Sequence, residues 1–362
     1  MDTELTSRPL AVLPVHARRA DVFRRRPVWL LLAGLVLLVV AAASGVALGN
    51  VGVPLADTLA ILGHRLVGWP AEVTWPQSAE TIVFELRVPR VLSAMAVGTG
   101  LTMAGVVLQG LLRNPLADPY VLGTASGAAL GAAIALLIPV QVALLGLGLL
   151  HVLAFLGALT AVWLVYLLSG SSAGSSLTSV LLTGYAVGSL LAAGLAVAMY
   201  LSGVNLRQIF AYLLGSFATS SWQQVMVALP IICGGGVLIM LRARSLDALL
   251  LGEETAQHLG LDVRRERAVL LALASLVTAA SVALAGLIGF VGLVVPHVLR
   301  LIVGPNGRWI LPLSAVFGAS FLVLADLAAR IPGELPVGIV TAVVGAPFFL
   351  ALLRRFRHGY EL

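Results

Sequence analysis

Residues 112–132 read LRNPLADPYVLGTASGAALGA, and the way this stretch folds decides the architecture of the chain. Asn114-Pro115 and Asp118-Pro119 break the backbone twice within six residues, because proline lacks an N–H and pushes its predecessor out of the helical region. Gly123, Gly127 and Gly131 then recur at four-residue spacing, a strip on which a neighbouring helix can approach closely. Long apolar runs flank the stretch. Non-helical backbone at membrane depth is tolerated only inside protein or beside a water-filled cavity. An ordinary loop, with Asp118 capping the start of the next helix, is the plainer reading, and the residues alone leave both open.

Outward from this stretch the apolar runs multiply. The 362 residues are 60% hydrophobic and 10% charged, where a soluble domain carries roughly 25% charge, and the mean hydropathy is +1.04. Many runs reach the roughly 20 residues that cross a bilayer as a helix. They are unbroken, not the short alternating segments of an outer-membrane barrel. The chain is therefore read as an all-α integral membrane protein with about ten transmembrane helices. The expected spans are 28–48, 91–112, 118–138, 143–168, 179–201, 223–241, 268–287, 289–304, 309–329 and 336–353.

Arginine supplies all 22 basic residues, and lysine is absent. A phosphate-binding loop of the Walker type needs a lysine to reach the β- and γ-phosphates, so any ATP site must belong to another subunit. The single cysteine, Cys233, excludes an internal disulfide and a cysteine metal cluster. No catalytic residue and no metal ligand set is assigned. A serine-protease reading of Ser126 fails because the Gly-x-Ser-Gly pattern is not met, and His297 has no second ligand beside it in sequence.

Charge placement sets the orientation. Arg18, Arg19, Arg24, Arg25 and Arg26 precede the first span, and such clusters mark the cytoplasmic side. A signal-peptide reading of the same segment rests on the small residues AAASG at 41–45, but the leader is long for it. Ten spans return the C-terminus, with Arg354, Arg355 and Arg357, to the cytoplasm. The expected division is a cytoplasmic N-terminal extension (1–27), one permease-like membrane domain (28–353) and a cytoplasmic tail (354–362). Ala104-Gly105 and Pro115 recur as Ala285-Gly286 and Pro296 at a constant offset, a hint of the inverted repeats on which transporters are built.

Within this apolar chain LLLGEETAQHLGLDVRRER (249–267) is a charged, helix-forming island. Ser245 is expected to cap one short helix, with Asp247 in its first turn. Glu253 and Glu254 open a second, and Gly260 ends it in the left-handed conformation. Ala256 and Leu259 share one face as an apolar spot amid charge, a surface suited to a soluble partner. On the opposite side, ELRVPR (85–90) and LAAR (327–330) place Arg87, Arg90 and Arg330 at span ends. There they either snorkel to headgroups or receive acidic side chains of an external partner.

RVPRVLSAMAVGTGLTMAGVVLQGLLRNPLADPYVLGTASGAALGA, GEETAQHLGLDV, AGLIGFVGLVVPHVLRLIVG and ELPVGIVTAVVGAPFFLALL together resemble the FecCD family, in order and over nearly the whole chain. These are permease subunits of type II ABC importers for vitamin B12, haem and ferric siderophores. The resemblance implies the permease fold of that family, a homodimer, two copies of a cytoplasmic ATPase that binds ATP and Mg, and a periplasmic substrate-binding protein. No cofactor is implied in this chain. It implies that 246–261 are coupling helices, with Glu253, Glu254, Ala256, Leu259 and Gly260 at the ATPase contact. It implies that Arg87, Arg90 and Arg330 receive the binding protein. Asn114 and Leu116, with Ser176, Leu177 and Thr178, match the cytoplasmic gate, although SSLTS (175–179) lacks the basic residue that often follows in relatives.

The expected function is thus a bacterial inner-membrane permease, both termini cytoplasmic, importing an iron chelate such as haem or a ferric siderophore. A corrinoid is the alternative cargo. From another class, an ion-driven secondary transporter needs buried carboxylates, and only Asp118 and Asp326 come near the membrane.

Overall fold

The computed structural model describes residues 27–140, 143–144, 146–169, 177–331 and 333–357. In chain order its helices are α1 (Pro27–Ala47), α2 (Leu55–Val67), α3 (Gln77–Leu111), α4 (Thr124–Leu137), α5 (Leu149–Leu168) and α6 (Leu177–Leu201). They continue as α7 (Leu206–Leu213), α8 (Trp222–Leu241), α9 (Ala243–Leu250), α10 (Glu253–His258), α11 (Val263–Ala285), α12 (Val291–Val303), α13 (Gly307–Arg330) and α14 (Val337–Arg357). Among the described residues seven helices are long and apolar enough to cross a membrane, and α4, α12 and α14 are shorter apolar ones. Together they account for the ten expected spans. The N-terminal extension up to residue 26 and the tail beyond 357 lie outside the described residues.

Helix α3 is the axis of the bundle. From Pro89 to Leu111 nearly every residue is buried, with α8, α11, α12 and α13 packed around it. Its composition explains this: Gly98, Gly100, Gly105 and Gly110 remove side chains where neighbours press in. A Cβ at Gly105 would lie 1.8 Å from the carbonyl oxygen of Gly292 in α12, and one at Gly98 2.3 Å from that of Gly318 in α13. The Gly127–Gly131 strip of α4 meets α5 in the same way, as a Cβ at Gly131 would sit 2.0 Å from the Leu153 carbonyl oxygen. The close-approach reading of that strip holds.

Helix α3 also corrects the expected boundaries. Its start at Gln77 lies well before the expected 91, so Arg87 and Arg90 are inside a helix and not at the end of a loop. Pro89 reads as a breaker, but residues Thr81–Arg87 wind as a π-helix, in which Val88 N–H reaches the Val83 carbonyl. In that register the Phe84 carbonyl would face the missing N–H of Pro89, and Trp222 Nε1 donates to it instead at 2.9 Å. The expected span 143–168 begins as a two-stranded hairpin, Ala143–Leu144 paired with Leu147–Gly148, because Gly146 takes a positive φ of 77°. Ser245 does not cap α9, which starts two residues earlier at Ala243 without a side-chain cap. Of the paired residues at the constant offset, Gly105 lies within α3 whereas Gly286 terminates α11.

The break between α11 and α12 lies within the bundle, and its polar groups are served by side chains and neighbouring backbone. Tyr120 Oη both donates to the Ile288 carbonyl and accepts from the Ile288 N–H at 3.1 Å, and Ser216 N–H donates to the Ala285 carbonyl. This is the arrangement that irregular backbone at membrane depth requires. His297 is buried edge-on against Phe348, which fits a packed histidine. The Gly105→Ala substitution is expected to lower stability by about 1–3 kcal/mol or to abolish assembly, since backbone must move to admit the methyl group. Gly234→Ala in α8, with open space around its Cβ position, is expected to be neutral or slightly stabilising. Thermal unfolding of both variants in detergent, beside the unaltered chain, checks the contrast.

Candidate functional site

Three regions carry the residues singled out from sequence, and α3 links them. Arg90, in the first half of α3, and Arg113, just past its end, are separated by about 35 Å at 1.5 Å per residue, so they lie toward opposite ends of the bundle.

At the first end, Arg87, Arg90 and Arg330 are brought together, but two of them are turned inward. Arg87 is 5% exposed and Arg330 3%. The last four carbonyls of α1 have no partners within the helix, and these two arginines supply most of what is missing. Arg330 Nη1 donates to the Gly45 carbonyl at 2.8 Å, and Arg87 Nη1 donates to those of Val46 at 3.0 Å and Ala47 at 2.9 Å. Leu48 N–H covers Ser44. Positive charge at this end also suits the helix dipole.

Asp326, 1% exposed, then holds both Arg90 and Arg330. Arg90 clasps it through Nε at 3.0 Å and Nη2 at 3.0 Å, and sends Nη1 to Glu334 at 2.8 Å. Burial beside those carbonyls and a carboxylate gives Arg87 and Arg330 partners within this chain. Arg90 alone reaches the exterior, through Glu334, whose side chain is 41% exposed. Asp326 is likewise part of an ion-pair network, not the lone buried carboxylate of a proton carrier.

At the other end, α9 and α10 form the charged island. Ala243, Leu246 and Leu249 face inward at three-residue spacing, and a Cβ on Gly110 of α3 would touch Leu246 at 2.8 Å. Arg113 Nη2 donates to the Leu249 carbonyl at 3.1 Å, and Asp247 Oδ1 accepts the Gly307 N–H at 2.6 Å. Burial raises the Asp247 carboxyl above the usual range, opposed by that N–H bond and by Arg300 and Arg308. Arg242 pairs with Glu266 at 2.8 Å, and Arg267 pairs with Glu253. Gly252, with φ 124°, makes the corner between the two helices.

Helix α10 ends as expected. Gly260 takes φ 81°, Leu261 N–H donates to the Ala256 carbonyl and Gly260 N–H to that of Gln257, a Schellman closure. Ala256 is buried under the helix, so it does not form part of the exposed apolar spot. Its place is taken by Leu251, missed in the sequence because it closes an apolar run. Leu251 is 69% exposed and Leu259 63%, with Glu253 and Glu254 also exposed.

The NPLADP turn lies at this same end. Asn114 is exposed and accepts the Leu116 N–H, and Asp118 Oδ1 accepts the Tyr120 N–H at 2.8 Å, the cap expected of it. Residues Pro119–Leu122 pack on α6, where a Cβ at Gly184 would lie 2.6 Å from the Val121 carbonyl oxygen. Leu108, Leu112, Ala117 and Leu122 form one apolar cluster with Val180 and Val187 of α6. The turn is thus beside the helix that the Gly/Ser stretch leads into. Ser176 lies outside the described residues, as do the side chains of Leu177 and Thr178.

The result is a helical membrane bundle with a buried charge network at one end and an exposed amphipathic helix pair at the other. The comparisons agree: the model of the FecCD transport family matches residues 35–355, and the chain belongs to that family. It is 45% identical to the cobalamin import system permease of Halobacterium salinarum over 79% of this chain and 76% of that one. It is 41% identical to the hemin transport system permease of Yersinia pestis over 76% of this chain and 84% of that one. A solved structure titled as an inward-facing conformation of a metal-chelate type ABC transporter superposes with a TM-score of 0.76 and 30% identity, covering 90% of this chain and 98% of that one. The chain is a multi-pass permease of a type II ABC importer.

Asp326→Ala is expected to leave Arg330 buried without a counter-charge and Arg90 with Glu334 alone, at a cost of about 3–5 kcal/mol. Thermal unfolding in detergent reads the loss. A melting point equal to that of the unaltered chain would contradict the network.

Proposed function

We propose that this chain is the membrane subunit of an ATP-driven importer for a metal chelate of the tetrapyrrole class. The relatives favour a corrinoid first, and haem, one of the two iron chelates expected from the sequence beside a ferric siderophore, second. It works as a homodimer in the cytoplasmic membrane, both termini inside, with two copies of an ATPase below and a substrate-binding protein above. The chain performs no covalent chemistry. ATP and Mg bind in the partner, and differential contact with that partner in its two states shifts the permease between outward-open and inward-open forms.

One observation carries this reading. Helix α9 is fixed to the end of α3 and to α13, and with α10 it leaves Leu251, Glu253, Glu254 and Leu259 exposed. An apolar pair amid acids, on a segment anchored to the axis of the bundle, suits a soluble partner that must push on it. Asn114, Leu116 and the segment around Ser176, Leu177 and Thr178 are assigned to the cytoplasmic gate on the resemblance and on the packing of the turn against α6. At the outer end Arg90 is the receptor for an acidic side chain of the binding protein, with Arg87 and Arg330 holding it from beneath.

Purification from native membranes under mild detergent tests the reading. A stoichiometric ATPase subunit is expected with the unaltered chain, and at least a tenfold loss of it with the Glu253→Ala/Glu254→Ala/Leu259→Asp variant. Retention of that subunit by the variant would overturn the coupling assignment. Proteoliposomes of the complex are expected to accumulate cyanocobalamin in preference to hemin, and the reverse order would make haem the cargo.

A further inference from the structure

We propose that Asp247 is a positioning residue that passes movement of α9 directly to α13, and through α13 to the outer charge network. The inference rests on the reading that α9 and α10 meet an ATPase, and goes beyond it by naming the link inside this chain.

Gly307 is the first residue of α13, and its N–H is among those an α-helix leaves unpaired. The helix's own cap, Asn306, serves the next residue: its Oδ1 accepts the Arg308 N–H. The Gly307 N–H is taken by Asp247 Oδ1 at 2.6 Å, from a different element. A carboxylate there also meets the positive end of the α13 dipole, with Arg300 and Arg308 acting on it electrostatically. Glycine is what lets the two helices come this close. A Cβ at Gly307 would lie 2.9 Å from Asp247 Oδ1 and 3.0 Å from the Ala243 carbonyl oxygen. Ala243 and Asp247 are one turn apart on α9, so α13 begins on top of a full turn of α9.

From this contact α13 runs as one helix from Gly307 to Arg330, with Pro312 inside its second turn, about 36 Å at 1.5 Å per residue. Its far end carries Asp326 and Arg330, the centre of the outer network. One continuous helix therefore has the coupling segment pinned at its start and the outer charges fixed at its end. Arg113 on Leu249 ties α9 to α3 through a flexible side chain to a single carbonyl, whereas Asp247 binds backbone at a helix start.

The test uses the purified complex with its ATPase in nanodiscs, the exposed Cys233 replaced by serine. Spin labels are placed at Arg244→Cys on α9 or at Ile331→Cys just past α13, both exposed, and the distance between the two copies is read by pulsed electron resonance. In the otherwise unaltered chain, ATP with vanadate is expected to shift both distances. Asp247→Ala is expected to keep the shift at 244 and lose it at 331, and Gly307→Ala, which forces the two helices apart, to do the same. Asp247→Asn retains the acceptor oxygen and is expected to keep both shifts. A full shift at 331 in Asp247→Ala overturns the inference while leaving the importer reading intact. No shift at 244 in the unaltered chain removes the coupling reading itself.

Discussion

Backbone-to-backbone contact between α3 and its neighbours is the constraint on which the rest of this structure depends. A Cβ at Gly105 or Gly98 would fall well inside contact distance of carbonyl oxygens in α12 and α13. In lipid, helix association gains little from burying apolar surface, and close packing of small residues does much of the work. Here the small residues lie on the one helix that four others surround. Because α3 is held so closely, its two ends keep fixed places, one beside the arginine network and the other beside α9. The two functional regions are therefore held in register by a single rod.

The arginine network illustrates how charges are kept at a span end. An isolated buried arginine is costly, yet Arg87 and Arg330 are nearly inaccessible. Each has carbonyl oxygens of the α1 terminus as partners, groups that themselves need donors where helix bonds run out. Asp326 adds the counter-charge for Arg90 and Arg330. Three helices are thus closed by one set of interactions, in which each unsatisfied group answers another. The remaining outward-facing arm is that of Arg90 on Glu334.

Much of this was legible in the sequence. The ten apolar segments, the opening of α10 at Glu253 and its closure at Gly260, and the capping role of Asp118 followed from composition and local chemistry. What was not legible depended on distant partners. Pro89 is accommodated inside α3 because Trp222, far along the chain, supplies the donor for the carbonyl left without one. Arg87 and Arg330 read as surface charges because nothing local announces the carbonyls of residues 45–47 beside them. Ala256 and Leu259 share a helical face in projection, yet α10 ends at His258 with Leu259 as its C-cap, and alanine is buried while leucine is exposed. Leu251 escaped notice because it ends a run of leucines whose other members face inward.

The account stands or falls on the energy source. The direct measurement is uptake of cyanocobalamin, with hemin in parallel, into proteoliposomes holding the chain with its co-purified ATPase and binding protein, with all ion gradients collapsed by ionophores. The account predicts uptake that persists under the ionophores and stops when ATP is withheld. Uptake by the chain alone, driven by a proton or sodium gradient without ATP, would contradict it.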